Sequence, residues 1–242
     1  MPFGLLTAIA ACPAIIGTTE AIQQGQKTNA REQHRGKKVN LTVKLHGADM
    51  YREKFEGALV VLKDNKLWVE HSDCIELDGS HPFSGYYLPH PQHQSRWKGA
   101  GFKGEGLVTT TNAQNMLNWV YVDKDTYELK HGIRVQAQDH LTGPWDCTQI
   151  DRRMTFEGWE GFVVVQVDEE RDLWGLFFDR DDNGLSGPGQ IGEVKEGEKR
   201  KRMLQVELVR SEMEKTRYDA FEERRERLKA LAIKQKQAEG AA

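Results

Sequence analysis

From Val39 onward the chain keeps alternating apolar and polar residues, and that period of two limits what it can fold into. Val39, Leu41, Val43 and Leu45 fall on one face, while Asn40, Thr42 and Lys44 fall on the other. This is the pattern of a half-buried strand, because successive side chains of extended backbone point to opposite sides of a sheet. The same reading gives strands at 57–62 and 66–70, with Asp64 and Asn65 between them. Both residue types accept the positive φ of a tight hairpin turn. Strand signals return at 107–111, 119–122, 127–130 and 133–137, with His131 and Gly132 read as a turn. They return again at 162–167, 172–178 and 204–208. Residues 78–104 read as loop, rich in Gly, Pro, His and Ser.

Short strands with turn signals roughly every 8 to 12 residues point to an antiparallel β-barrel or β-sandwich. Strands do not alternate with long helices, which argues against a parallel α/β sheet. The expected fold class is therefore mainly β, with a helical segment before the sheet and a long helix after it. Residues 1–38 form the N-terminal segment, 39–209 the antiparallel β domain and 210–242 a charged C-terminal helix and tail. The last part lacks Pro from 211 to 237 and is rich in Glu, Lys, Arg and Ala. Ser211 reads as its N-cap, with Glu212 and Glu214 in the first turn, where acids are favoured.

The N-terminal segment is uncharged through Thr19 and then basic, with Lys27, Arg31, Arg35, Lys37 and Lys38. Three readings are open. It is a short packed helix broken near Pro13, or a membrane-surface anchor that pairs apolar insertion with basic attraction, or a cleaved signal.

Composition excludes several function classes. A chain of 242 residues with net charge −3 buries a core without staples and carries no global attraction for nucleic acid. Cys12, Cys74 and Cys147 are odd in number and lack metal-ligand spacing, so a disulfide framework and a zinc site are not expected. The reading is an intracellular, cytoplasmic protein, with peripheral membrane contact as the alternative.

Four constellations carry chemistry of interest. Asp179-Arg180-Asp181-Asp182-Asn183-Gly184 matches the first half of a calcium loop, but Gln190 stands where a bidentate Glu belongs. His81, His90 and His93 share one loop, and His90 with His93 are the pair spaced to share a metal. Trp145-Asp146 and Trp159-Glu160 each place a Trp beside an acid and glycine, a pairing that suits sugar stacking. Arg96, Trp97, Lys98 and Lys103 offer base stacking. Each has a plainer structural reading as turn, loop or core, and none is assigned as a site. No catalytic, cofactor-binding or metal residue is expected, and no cofactor.

The stretches Gly4–Ala8, Ile15–Glu20, Trp119–Asp123, Gly143–Asp146, Gly158–Phe162 and Phe178–Asp181 together resemble a group of fungal hypothetical proteins with no assigned activity. The resemblance implies a retained N-terminal segment and carries over no function or site residue. The expected function is a non-enzymatic β domain that binds a small molecule or protein partner. An enzyme of hydrolase or isomerase type with a cavity in a β-barrel is one alternative. A secreted carbohydrate-binding protein is the other.

Overall fold

A computed structural model describes residues 32–45, 47, 49–71, 74, 77, 80–111, 116–194 and 199–212. The chain divides into two compact units, 1–37 and 38–242. In the first, the described part is a single 3-10 turn at Gln33–Gly36. The remainder of the expected N-terminal helical segment, Cys12 included, lies outside the described residues. So does the expected C-terminal helix beyond Glu212.

The second unit contains β1 (Val39–Leu45), β2 (Leu59–Lys63), β3 (Lys66–Glu70), β4 (His81–Pro82), β5 (Gly85–Pro89), β6 (Glu105–Thr110) and β7 (Leu117–Val122). It continues with β8 (Leu129–Gly132), β9 (Trp145–Cys147), β10 (Met154–Phe156), β11 (Phe162–Asp168), β12 (Leu173–Phe178) and β13 (Met203–Glu212). Three short helices interrupt them: α1 (Asp49–Phe55), α2 (Gln94–Gly99) and α3 (Arg134–Ala137). All strand pairs named below are antiparallel.

The pairing has a threefold logic. Three hairpins, β2–β3, β7–β8 and β11–β12, touch one another through their second strands. Trp68 of β3 pairs with Gly175 of β12, Lys66 of β3 with Lys130 of β8, and Glu128, just before β8, bridges to Phe177 of β12. Three further pairs, β1–β13, β5–β6 and β9–β10, supply six more strands. They are linked by Val39 to Gly85 and by Arg153 to Val209. The chain thus reads as three successive four-strand units, β1–β2–β3–β5, β6–β7–β8–β9 and β10–β11–β12–β13.

The hydrophobic pattern explains why this arrangement forms. Leu41, Val43 and Leu45 face Arg210, Leu208 and Val206 across the β1–β13 ladder, all turned to one core. That core also takes Phe83, Trp145, Phe156, Phe162, Trp174 and Phe178, each 1% exposed or less. Trp145, Phe156, Phe162 and Phe178 pack ring on ring, with centroids 4.7 to 6.0 Å apart. The opposite faces of the hairpins carry smaller apolar clusters, one per unit. These are Val61 with Cys74 and Leu77, then Val108 with Trp119 and Tyr121, then Val163 with Val165, Phe177 and Leu185.

One partly buried polar network fixes α1 to the third hairpin. The Asp172 carboxylate accepts from Lys54, from Trp174 Nε1 at 2.8 Å and from Gln166 Nε2 at 3.0 Å. Burial works to raise the pKa of Asp172, but these donors and His71 win and hold it below the ordinary carboxylate value.

Several expectations are corrected. Eleven strands belong to one sheet whose end members pair back onto others, not to the two facing sheets of a sandwich. Ser211 and Glu212 are not a helix start; they continue β13 opposite Asn40 and Val39. The full-length partner strand β1 satisfies their backbone, and that outweighs a local capping preference. His131 and Gly132 lie inside β8, and 134–137 is α3 rather than a strand. Ile133 and Val135 are 47% and 67% exposed, so their alternation faces solvent, while the Gln136 side-chain oxygen accepts the Ile133 N–H at 3.1 Å and opens the helix. The segment read as loop holds β4, β5 and α2.

The two Trp-acid pairs differ in depth, and this yields a stability prediction. Trp145 is 1% exposed, whereas Trp159 is half-buried at the core's edge, 5.5 Å from the Phe178 ring. Trp145→Ala should lower unfolding free energy by about 3–5 kcal/mol, the cost of a large core cavity. Trp159→Ala should cost clearly less. Urea denaturation of the two variants checks this, and equal losses would contradict the assignment.

Candidate functional site

An opening lies on the outer face of the third unit. It is a cleft of about 390 Å³ lined by Val163, Asp179, Asp182, Gly184, Arg200, Lys201, Met203 and Gln205. Two strands make its floor. Val163 of β11 pairs with Gln205 of β13, and Val165 with Met203, so Val163 and Gln205 sit side by side. The wall is the loop after β12, which begins with the sequence read as half a calcium site.

That loop is held in place by its own side chains. The Asp179 carboxylate accepts the backbone N–H groups of Asn183 at 3.1 Å and Gly184 at 2.7 Å. Asn183 Oδ1 accepts from Ser186 N, and Tyr127 Oη donates to Asp181. Leu185, 0% exposed, plugs the outer apolar cluster beneath the loop. The loop then returns on itself where Gly192 donates to the Leu185 carbonyl at 2.9 Å. A Cβ at Gly192 would stand 2.1 Å from the Gly184 oxygen, so only glycine permits this closure. The Asp179 and Asn183 oxygens expected to converge on a cation are therefore spent on the loop backbone, and Asp181 accepts from Tyr127. Among the described residues no three His, Cys, Asp or Glu side chains gather as a metal site requires.

Four charged residues line the cleft: Asp179, Asp182, Arg200 and Lys201. Arg200 crosses the mouth beside Gly184, where a Cβ would lie 2.6 Å from Nη2. Among the described residues no carboxylate pairs with Arg200. Lys201 donates to the Val167 carbonyl at 2.9 Å. Asp182, with φ 50, belongs to the loop wall. Beside them Lys199 and Arg202 extend a run of four cations into β13. Arg202 is engaged by Gln166 and Glu169.

The histidines singled out in the sequence lie in β4 and between β5 and β6. His90 and His93 do come together, but face to face, with centroids 4.7 Å apart and planes 18° apart. His90 Nδ1 accepts the backbone N–H groups of Gln92 and His93, which leaves this pair stacked rather than aimed at a shared ion. Trp97 and Trp119 close on His90 at 5.0 and 4.9 Å, so Trp97 is enclosed and offers no free face to a base. His81 stands apart and contacts the Pro82 carbonyl. Cys74 is buried and Cys147 half-buried, and neither is in a disulfide.

Two neighbouring titratable groups escaped the sequence reading. The pKa of Asp123 is pulled up by burial, yet Lys130 at 2.7 Å and the N–H groups of Thr126 and Asp125 bring it down to about 2. His131 is 5% exposed and lowered by burial to about 4. Its Nδ1 lies 3.1 Å from Asn118 Nδ2, which makes Nδ1 the acceptor and leaves the proton on Nε2, a buried atom with no partner among the described residues. Neither could be found from spacing, because an ordinary hairpin Asp and a turn-like His-Gly carry no signal of burial.

These groups fix a pH dependence. The unfolded chain protonates its histidines near 6.5, but folded His131 resists until about 4. Stability is therefore complete above 6.5 and falls as pH drops through that window, because the unfolded state binds the extra proton. By pH 4.5 the loss from His131 is on the order of 2 kcal/mol. His131→Gln should flatten the decline of the urea midpoint between pH 7 and 4.5. An unchanged slope would contradict the buried neutral state. Asp123 acts lower: its contribution is present above about 4 and fades as pH falls toward 2.

Among the described residues no helix is long and apolar enough to cross a membrane. No curated protein and no solved structure matches the chain. A family model described as the fungal beta-trefoil domain matches residues 17–214, which span the described strands and helices. Three hairpins meeting through their second strands, and three paired strands joining the chain's beginning to its end, are what a trefoil demands. The chain belongs to the fungal β-trefoil domain family.

Proposed function

We propose that the protein is a non-enzymatic, ligand-binding β-trefoil and that its ligand sits in the cleft of the third unit. The observation that carries this reading is the cleft's lining. A volume of about 390 Å³ is in the range of small-molecule sites. An apolar floor of Val163 and Met203 meets polar groups from three directions, namely Arg200, Asp182 and Gln205. An apolar base with a few convergent polar groups is how such sites obtain both affinity and orientation. Trefoil domains are often ligand- or carbohydrate-binding folds, which supports the class of function without naming a ligand.

The enzyme alternative needs a cavity within the sheet's core. Trp145, Phe156, Phe162 and Phe178 fill that space, which counts against it. The carbohydrate alternative fits the same cleft, because Asp182 and Gln205 present an acceptor and a donor to hydroxyl groups. It does not rest on Trp145, which lies in the core. Membrane-surface contact through residues 1–38 rests on a segment that is almost wholly outside the described residues and adds nothing to this reading.

A panel of mono- and disaccharides followed by amide chemical shifts tests the proposal. Shifts should appear first at Val163, Gly184, Met203 and Gln205. Gln205 is exposed, so Gln205→Trp should block the cleft, abolish those shifts and leave the melting temperature unchanged. Binding that persists in Gln205→Trp, or shifts centred on Trp159 instead, would overturn the assignment.

A further inference from the structure

The charge of the cleft says more than its size. Arg200 and Lys201 both line it, and no described carboxylate forms an ion pair with either. Elsewhere in this unit Arg180 is matched to Glu157, Arg153 to Glu160 and Glu207, and Arg202 to Glu169. The Lys201 ammonium spends one donor on the Val167 carbonyl and keeps two. Asp179 lines the cleft too, but its carboxylate is turned to the loop's own N–H groups and is poorly placed to neutralise Arg200. The remaining acid, Asp182, is on the loop wall.

Two cations with no ion-pair partner among the described residues, lining one cleft with the Asp182 carboxylate, select a particular chemistry. A guanidinium prefers a planar anion that accepts two parallel hydrogen bonds, as a carboxylate does. An Asp in the same cleft repels a ligand that is anionic throughout, but accepts from hydroxyl groups. The side-chain amide of Gln205 both donates and accepts, and Met203 with Val163 offers an apolar patch for a ring face. We infer that the cleft takes a sugar acid of monosaccharide size, with its carboxylate on Arg200 and Lys201 and its hydroxyl groups toward Asp182 and Gln205. This rests on the cleft being the ligand site, as proposed above.

The test uses the full chain and four probes, D-glucuronate, glucose, glucosamine and inorganic phosphate, each titrated while the amides of Val163, Gly184, Met203 and Gln205 are followed. Glucuronate should bind at least ~10-fold more tightly than glucose, the scale of one charge-assisted hydrogen-bond pair. Its affinity should fall with added salt, because the cations are solvent-exposed. Arg200→Ala should remove most of the difference between glucuronate and glucose, and Lys98→Ala, on α2 away from the cleft, should not. An unchanged melting temperature in Arg200→Ala excludes misfolding as the cause. Equal affinity for glucose and glucuronate, or preference for glucosamine, overturns the inference while leaving the cleft as a saccharide site. Phosphate binding as tightly as glucuronate overturns the sugar part and leaves a bare anion site. If no probe shifts those amides, both this inference and the reading of the cleft as a saccharide site fail.

Discussion

The pairing of the first strand with the last is the constraint on which the rest depends. β1 and β13 run antiparallel from Val39 opposite Glu212 to Leu45 opposite Val206, without a register break. A trefoil built from three local units has little reason to hold its ends together unless such a ladder exists, because closing so long a chain costs entropy that local contacts do not return. Here the return is apolar burial. Leu41, Val43, Val206 and Leu208 are each nearly inaccessible. The inward row ends at Arg210, whose guanidinium lies 4.5 Å from the centre of the Tyr87 ring. The cation is carried by an aromatic face and by stem packing, which is how a long basic side chain tolerates such a position.

The same strand links closure to the candidate site. β13 pairs with β1 along most of its length and with β11 at its start, where Met203 and Gln205 form the cleft floor. The cleft exists because the three units are unequal on their outer faces. In the second unit the outer cluster includes Ala137 of α3, with Trp97 of α2 closing on Trp119's neighbour His90. In the third, the cover is the loop pinned by Asp179 and Leu185, which leaves Val163 and Met203 at the bottom of an opening. A symmetric fold thus presents one asymmetric surface, and the difference lies in a loop rather than in the sheet.

Much of the sheet was legible from periodicity. β1, β2, β3, β11 and β12 alternate or run apolar over five residues or more, and Asp64 and Asn65 adopt the positive φ of 51 and 60 that their turn requires. What periodicity missed has physical causes. β9 and β10 have three residues each, too few to show a period. α3 mimics a strand because Ile133 and Val135 alternate, though both point to solvent. The threefold arrangement was hidden because the units differ in spacing and keep no common motif; only the cross-hairpin pairs reveal it. At the cleft, the acidic loop was visible as a motif, but its role was not. Whether Asp179 faces a cation or its own backbone depends on the turn, and Arg200 is brought to Gly184 by chain return.

Native-state hydrogen exchange along β1 and β13 tests the closure most directly. If the end-to-end ladder is what holds the trefoil together, the amides of Thr42 and Val209, which face each other across it, exchange only through global unfolding, with the same opening free energy as those of Val165 and Phe177 in the third hairpin. Exchange of Thr42 and Val209 through a cheaper local opening, while the hairpin amides stay protected, would contradict it.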